Sequence, residues 1–240
     1  MGMAHRRAGG AATLAAIALA VVAGVPRAWA APQSLAIAGA QYSRSGSYVY
    51  LGAIRPIGGG ELGHGFFILP FLGWSRYTFR QDGTEFSGNQ PAASLAIGRA
   101  WSVHGFSLSL SLAGGYSNTT LSPHAPPNSF RGGQWFAEPE LWARASLPGG
   151  ASVTVNGGYL TGLRSYWATA YGQIPITRFV AVGPEVDFGG GTNYRNHTIA
   201  LRIADQLTPR LALTLSAGAT TNVPGSYHPY VSFSLSLPFR

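Results

Sequence analysis

From residue 230 to residue 239 apolar and small polar side chains alternate without a break. Val231, Phe233, Leu235, Leu237 and Phe239 fall on one side, and Tyr230, Ser232, Ser234, Ser236 and Pro238 on the other. Successive side chains of a strand point to opposite faces, so this segment has one oily face and one hydroxyl-lined face. The pattern returns in Phe106, Leu108, Leu110 and Leu112 against Ser107, Ser109, Ser111 and Ala113. It returns again in Leu211, Leu213, Leu215 and Ala217 against Ala212, Thr214, Ser216 and Gly218. Strands of this kind build either a soluble sandwich or a barrel in lipid, and composition separates the two. Only 10% of the residues are charged, against roughly 25% in soluble domains, too few to coat the outside of a sandwich. Apolar side chains outward and small polar ones inward is the arrangement of a barrel in a bilayer. Outer-membrane barrels commonly close on an aromatic; here Arg240 follows Phe239, a small departure.

The first thirty residues agree with export. Arg6 and Arg7 precede an apolar run from Ala11 to Val25, and Ala28-Trp29-Ala30 forms an A-x-A site. About 15 apolar residues are too few to span a bilayer comfortably, so the segment reads as a signal peptide cleaved after Ala30, with Ala31 as the alternative. That divides the chain into a signal at 1–30 and one barrel domain at 31–240. Cysteine is absent, so barrel closure rather than disulfides must supply stability. All 16 basic residues are arginine, and losing Arg6, Arg7 and Arg27 lowers the formal net charge from +8 to +5. The remaining arginines are scattered over strand ends and turns without basic runs. Nucleic acid is therefore not the expected partner; anionic lipid headgroups and lipopolysaccharide phosphates are.

The alternation, punctuated by turn residues, predicts an all-β, antiparallel, up-and-down transmembrane barrel of about twelve strands. They fall at 33–41, 47–54, 65–79, 92–102, 105–118, 134–147, 151–161, 165–173, 178–188, 194–204, 210–221 and 227–239, with ten or fourteen strands as alternatives. Connections near 102–105, 147–150, 174–177 and 205–209 are short, whereas 80–91 and 118–133 are longer and more polar. Short periplasmic turns and longer external loops are the outer-membrane rule, and an even strand count puts both termini at the periplasmic side.

Charged residues on the inward faces are the candidate site. Glu138, Glu140 and Arg144 share the face of the sixth strand opposite Trp135, Ala137 and Leu141; Glu185 and Asp187 share that of the ninth, and Arg202 sits in the tenth. Turning them toward lipid would cost a few kcal/mol each near the midplane, so they should meet inside. A structural salt-bridge network is the first expectation, with Arg202 as partner of Glu185 and Arg144 as fallback; contact with a solute or glycan is the second. Pro184 cannot donate to a ladder and marks a bulge or other irregularity. The aromatics Tyr48, Tyr50, Trp74, Trp101, Trp135, Tyr159, Tyr166, Trp167 and Tyr171 lie toward strand ends and are expected mainly in the interfacial girdle. Of these, Tyr48, Tyr50, Tyr166, Trp167 and Tyr171, together with Tyr194, are candidates to line a sugar path.

No catalytic residue is assigned. A hydrolase would need a histidine beside a serine with an orienting third group, and only Asn196-His197-Thr198 near Ser226 comes close. Without cysteine or a close histidine pair no metal site or cofactor is expected. Gly58 to Gly63 is rich in glycine but is followed by no helix, so it reads as a turn rather than a phosphate loop.

Tyr48-Val49-Tyr50-Leu51-Gly52-Ala53 resembles the Y-x-Y-x-G-A strand of the cellulose biosynthesis protein BcsS family of α-proteobacteria. Gly65-Phe66-Phe67 to Trp74 and Tyr77 resembles that family's next strand. Ser165-Tyr166, Tyr171-Gly172, Gly183-Pro184-Glu185, Tyr194 and Gly225 to Tyr230 follow in the family's order and spacing, although Ile174-Pro175-Ile176-Thr177 stands where the family has a Gly-rich turn. The resemblance implies an outer-membrane accessory of cellulose or other exopolysaccharide biosynthesis, secretion or anchoring. It also implies the polymer and its secretion machinery as partners, and no catalytic residues. The reading that makes least use of the resemblance is a generic small channel or structural barrel, with a lipid-modifying enzyme behind it.

Overall fold

The computed structural model describes residues 34–81, 84–123, 131–191, 194–208, 210–223 and 226–239. The segment read as a signal peptide lies outside them. Twelve antiparallel strands follow one another: β1 (Ser34–Ser43), β2 (Gly46–Pro56), β3 (Gly65–Gln81), β4 (Thr84–Val103), β5 (Phe106–Ser122), β6 (Gly132–Ser146), β7 (Ser152–Leu160), β8 (Ser165–Pro175), β9 (Val180–Gly191), β10 (Tyr194–Thr208), β11 (Leu211–Val223) and β12 (Ser226–Phe239). Each pairs with its sequence neighbours, and β1 pairs with β12 from Ser34↔Phe239 to Ser43↔Tyr230, which closes the barrel. The start of β1 and the end of β12 define a near end; the β1–β2 turn lies at the far end.

Closure follows from the alternation. Val231, Phe233, Leu235, Leu237 and Phe239 are all exposed on the outer surface, as are Leu72, Leu95, Ile97, Leu110, Leu112, Ile199, Leu201 and Leu215. An exposed aliphatic belt on every wall is the surface a bilayer demands, and a closed ladder leaves no backbone edge in lipid.

The expected loop at 80–91 is largely strand, and the one at 118–133 is strand at its two ends. β3 and β4 stay paired out to Gln81↔Thr84, and β5 runs to Ser122. The stretch 84–91 lacks an oily outer face: Glu85 and Asn89 point outward, while Phe86 and Gln90 are buried. Phe86 pairs with Phe79, their rings 5.2 Å apart. With 17, 20 and 17 residues, β3, β4 and β5 exceed the 9–11 that cross a bilayer. At the far end the inward face is mixed, with Tyr77 and Phe86 buried beside Ser75, Gln90, Ser117 and Thr119.

Prolines punctuate the seams. Pro70, Pro91 and Pro184 each fall where a ladder is interrupted, between β2 and β3, β4 and β5, and β8 and β9; the β6–β7 ladder stops at Glu140↔Gly158, next to Pro139. All four face outward, and none has an N–H to donate. At Pro184 the pairs Tyr171↔Glu185 and Ile174↔Val182 keep one register on either side, so the irregularity is a gap rather than a bulge. Register shifts occur instead at Gln206/Thr208 and Thr220/Val223.

Inward glycines face aromatic rings. Gly39 pairs with Tyr50, Gly98 with Phe67 and Gly115 with Phe136. A Cβ on Gly98 would lie 2.4 Å from the Phe67 ring, and one on Gly115 2.3 Å from that of Phe136. These rings lie back over the wall, as aromatics do when they cover a strand glycine.

Candidate functional site: the barrel interior

The inward residues form three layers. At the near end Leu35, Ile37, Ile54, Phe67, Leu69, Ala96, Ala100 and Ala113 make one buried apolar cluster, against which Leu62 packs from the β2–β3 turn. A second cluster joins Tyr48 and Tyr50 of β2 to Phe136 of β6, Leu160 of β7 and Trp167 of β8, with Phe71 and Leu163 at its margin. In a closed ring of twelve, β2 and β8 stand on opposite walls. These side chains therefore meet across the lumen. Tyr48 and Tyr50 stack at 5.7 Å, and Tyr50 on Phe71 at 5.8 Å.

The polar layer lies among these rings. Arg202 Nη1 donates to Glu185 Oε2 at 2.6 Å, with the two side chains 2% and 0% exposed. That is the partner the sequence ranks first. Ser216 Oγ donates to the same carboxylate oxygen at 3.1 Å, and the guanidinium lies 4.2 Å from the Tyr171 ring centroid. Asp187 accepts from Thr169 Oγ1 at 2.7 Å, Glu138 from Trp167 Nε1 at 2.6 Å and Glu140 from Ser111 Oγ at 3.0 Å. Arg144 shares the face of Glu138 and Glu140, its Nε buried without a hydrogen-bond partner. Four carboxyl groups and two guanidiniums make up the layer. Tyr48 Oη, Glu185 Oε1 and Arg202 Nε are likewise buried without partners.

The aromatic candidates separate. Tyr48, Tyr50, Trp167 and Tyr171 are buried inside and do not belong to the girdle. Trp74, Trp135, Tyr159 and Tyr166 are exposed on the outer surface, which corrects Tyr166 as a lumen candidate. Tyr194 opens β10 opposite Gly191. Position along the strand misled, and β2 is apolar on both faces: Val49 and Leu51 point out where Tyr48 and Tyr50 point in. Phe67, Phe136 and Trp142 also face the interior, and at the near end β1 buries Leu35 and Ile37 while Ala36 and Ala38 face outward, the reverse of the sense read from the other strands.

The histidine–serine combination is not assembled as the sequence suggests. His197 faces outward with its ring 5.4 Å from that of Phe188, whereas Ser226 Oγ lies 3.3 Å from His228 Nε2. Among the described residues no carboxylate hydrogen-bonds to His228. The residues from Gly58 to Gly63 form a turn, with Glu61 and His64 bridged across it.

Among solved structures the fold resembles an outer-membrane channel from Pseudomonas putida F1 (TM-score 0.55, 12% identity, 88% of this chain and 96% of that chain). It also resembles the translocator domain of the autotransporter NalP from Neisseria meningitidis (0.53, 10%, 86% and 88%) and the KdgM porin (0.51, 13%, 86% and 99%). At such identities the likeness is one of fold. A search of curated protein sequences finds no match. The family model for cellulose biosynthesis protein BcsS matches residues 35–239, all twelve strands, and the chain belongs to that family.

Proposed function

We propose that this barrel is a non-enzymatic outer-membrane accessory of cellulose production that contacts or anchors the polymer at its ends rather than conducting it through the lumen. The observation that carries the reading is the interior: Tyr48, Tyr50, Phe136 and Trp167 join opposite walls, and Glu185 and Arg202 are 1% and 2% exposed beside them. A water-filled conduit would leave such side chains wet. Twelve strands fall between the eight whose interior is just filled and the 16–18 that leave an aqueous channel, so side chains decide the outcome.

The catalytic alternative has little support, since Ser226 and His228 lack an orienting acid among the described residues. The test is deletion of the gene in a cellulose-producing host, with polymer amount, chain length and attachment to the cell surface measured beside a complemented strain. The reading expects a change in at least one of the three that complementation restores. No change in any of them removes it.

A further inference from the structure

Below the apolar cluster the near mouth of the barrel holds a cavity of about 220 Å³, bounded by Ile54, Phe67, Ala100, Ser109, Trp142 and Leu62. Trp142 is 9% exposed, and its Nε1, a donor only, is buried without an acceptor. Ser109 is buried in the same wall, and Glu61 stands at the mouth. The β2–β3 turn forms the cover. Leu62 packs upward between Gly58, Gly59 and Gly63, all with φ between 67° and 83°, a conformation that glycine adopts without steric cost. Ser102 Oγ, 3.0 Å from Ser107 Oγ, donates to Gly63 O at 3.0 Å and ties the cover to the β4–β5 end.

The lining specifies a ligand with an apolar face and hydroxyls at its edge. The rings of Phe67 and Trp142 and the aliphatic wall suit the C–H face of a sugar. Trp142 Nε1, Ser109 and Glu61 suit its hydroxyls. The volume is about seven waters, the scale of one hexose ring. An alkyl chain would fill the space but leave Nε1 without an acceptor, and an anion would meet Glu61. We propose that this cup takes one neutral hexopyranose unit of a glucan at the near mouth, beneath the Leu62 cover. The proposal rests on the cellulose-linked reading above and names where the polymer is held.

The test is calorimetric titration with cellotetraose of the full barrel in amine-oxide micelles, which contain no sugar. One saturable site per barrel is expected. Trp142→Phe keeps a ring but loses the donor, and should weaken binding about fivefold, the worth of one net hydrogen bond. Ala100→Leu fills the cup and should abolish binding. Both variants should keep the wild-type difference in gel mobility between unheated and boiled samples; if Ala100→Leu does not fold, Trp142→Phe decides. No saturable heat with wild type, unchanged affinity in the decisive variant, or displacement of the sugar by octanoate each overturns the cup. A silent titration beside a cellulose defect in the deletion strain removes the cup alone. Saturable binding without such a defect removes the cellulose role alone.

Discussion

The Glu185–Arg202 pair is the most sharply testable element of the interior. Its two side chains are 0% and 2% exposed, and the 2.6 Å contact is reinforced by Ser216 Oγ on the same carboxylate oxygen. Glu185→Ala leaves the guanidinium buried against the Tyr171 ring without its counterion, and Arg202→Ala leaves a buried carboxylate with a single hydroxyl donor. Removing one partner of a buried pair costs about 3–5 kcal/mol, much of it the desolvation of the charge left behind. For a domain of this size that lowers the midpoint of thermal unfolding by about 6 to 20 °C. The double variant leaves no unpaired charge of the two, so its loss should fall short of the sum of the single losses by about 1–3 kcal/mol, the range of coupling between contacting residues. Urea unfolding of the refolded barrel in micelles, followed by tryptophan fluorescence and by gel mobility of unboiled samples, gives all four corners of the cycle. Single losses below about 1 kcal/mol, as for a solvated pair, or losses that simply add, would refute the buried pairing and with it the account of a dry interior.

Other outcomes follow from the walls. Gly98→Ala places a methyl 2.4 Å from the Phe67 ring and 2.7 Å from Leu110 O, and is expected to cost about 1–3 kcal/mol by overpacking. Adding Phe67→Leu should return only part of that loss in the same urea assay, because the backbone contact remains. Leu112→Arg puts a charge on the exposed outer face midway along β5 and should destabilise by about 2–4 kcal/mol. Urea midpoints in vesicles of defined lipid measure it, and a neutral outcome would argue against lipid at that face.

Most of the fold was legible because its signal is local and repeated. An oily outer face with serine and threonine behind it marks β5, β11 and β12 in the sequence, and antiparallel neighbours in chain order make closure almost automatic. The Glu185–Arg202 contact was legible for the same reason: β9 pairs with β10 so that Ala200 faces Glu185, which leaves Arg202 one diagonal step away. What was not legible depends on position along the barrel axis. Residues 84–91 carry polar side chains on both faces, Glu85 and Asn89 outward and Gln90 inward, and β1 buries Leu35 and Ile37 while turning Ala36 and Ala38 outward. The aromatics of β2 have apolar neighbours on both faces, so only the closed ring, which sets Tyr48 and Tyr50 against Phe136 and Trp167, shows which way they point. The Trp142 cup has no sequence signature, being assembled from five strands and a turn.

The closed interior is tested most directly by conductance across a planar lipid bilayer. The wild-type barrel, inserted singly, is expected to show no steady open-channel current, and the combined Tyr50→Ala and Trp167→Ala substitutions, which remove the side chains joining opposite walls, should produce discrete ohmic steps. Wild-type protein that conducts in stable ohmic steps, unchanged by that double substitution, would contradict the account.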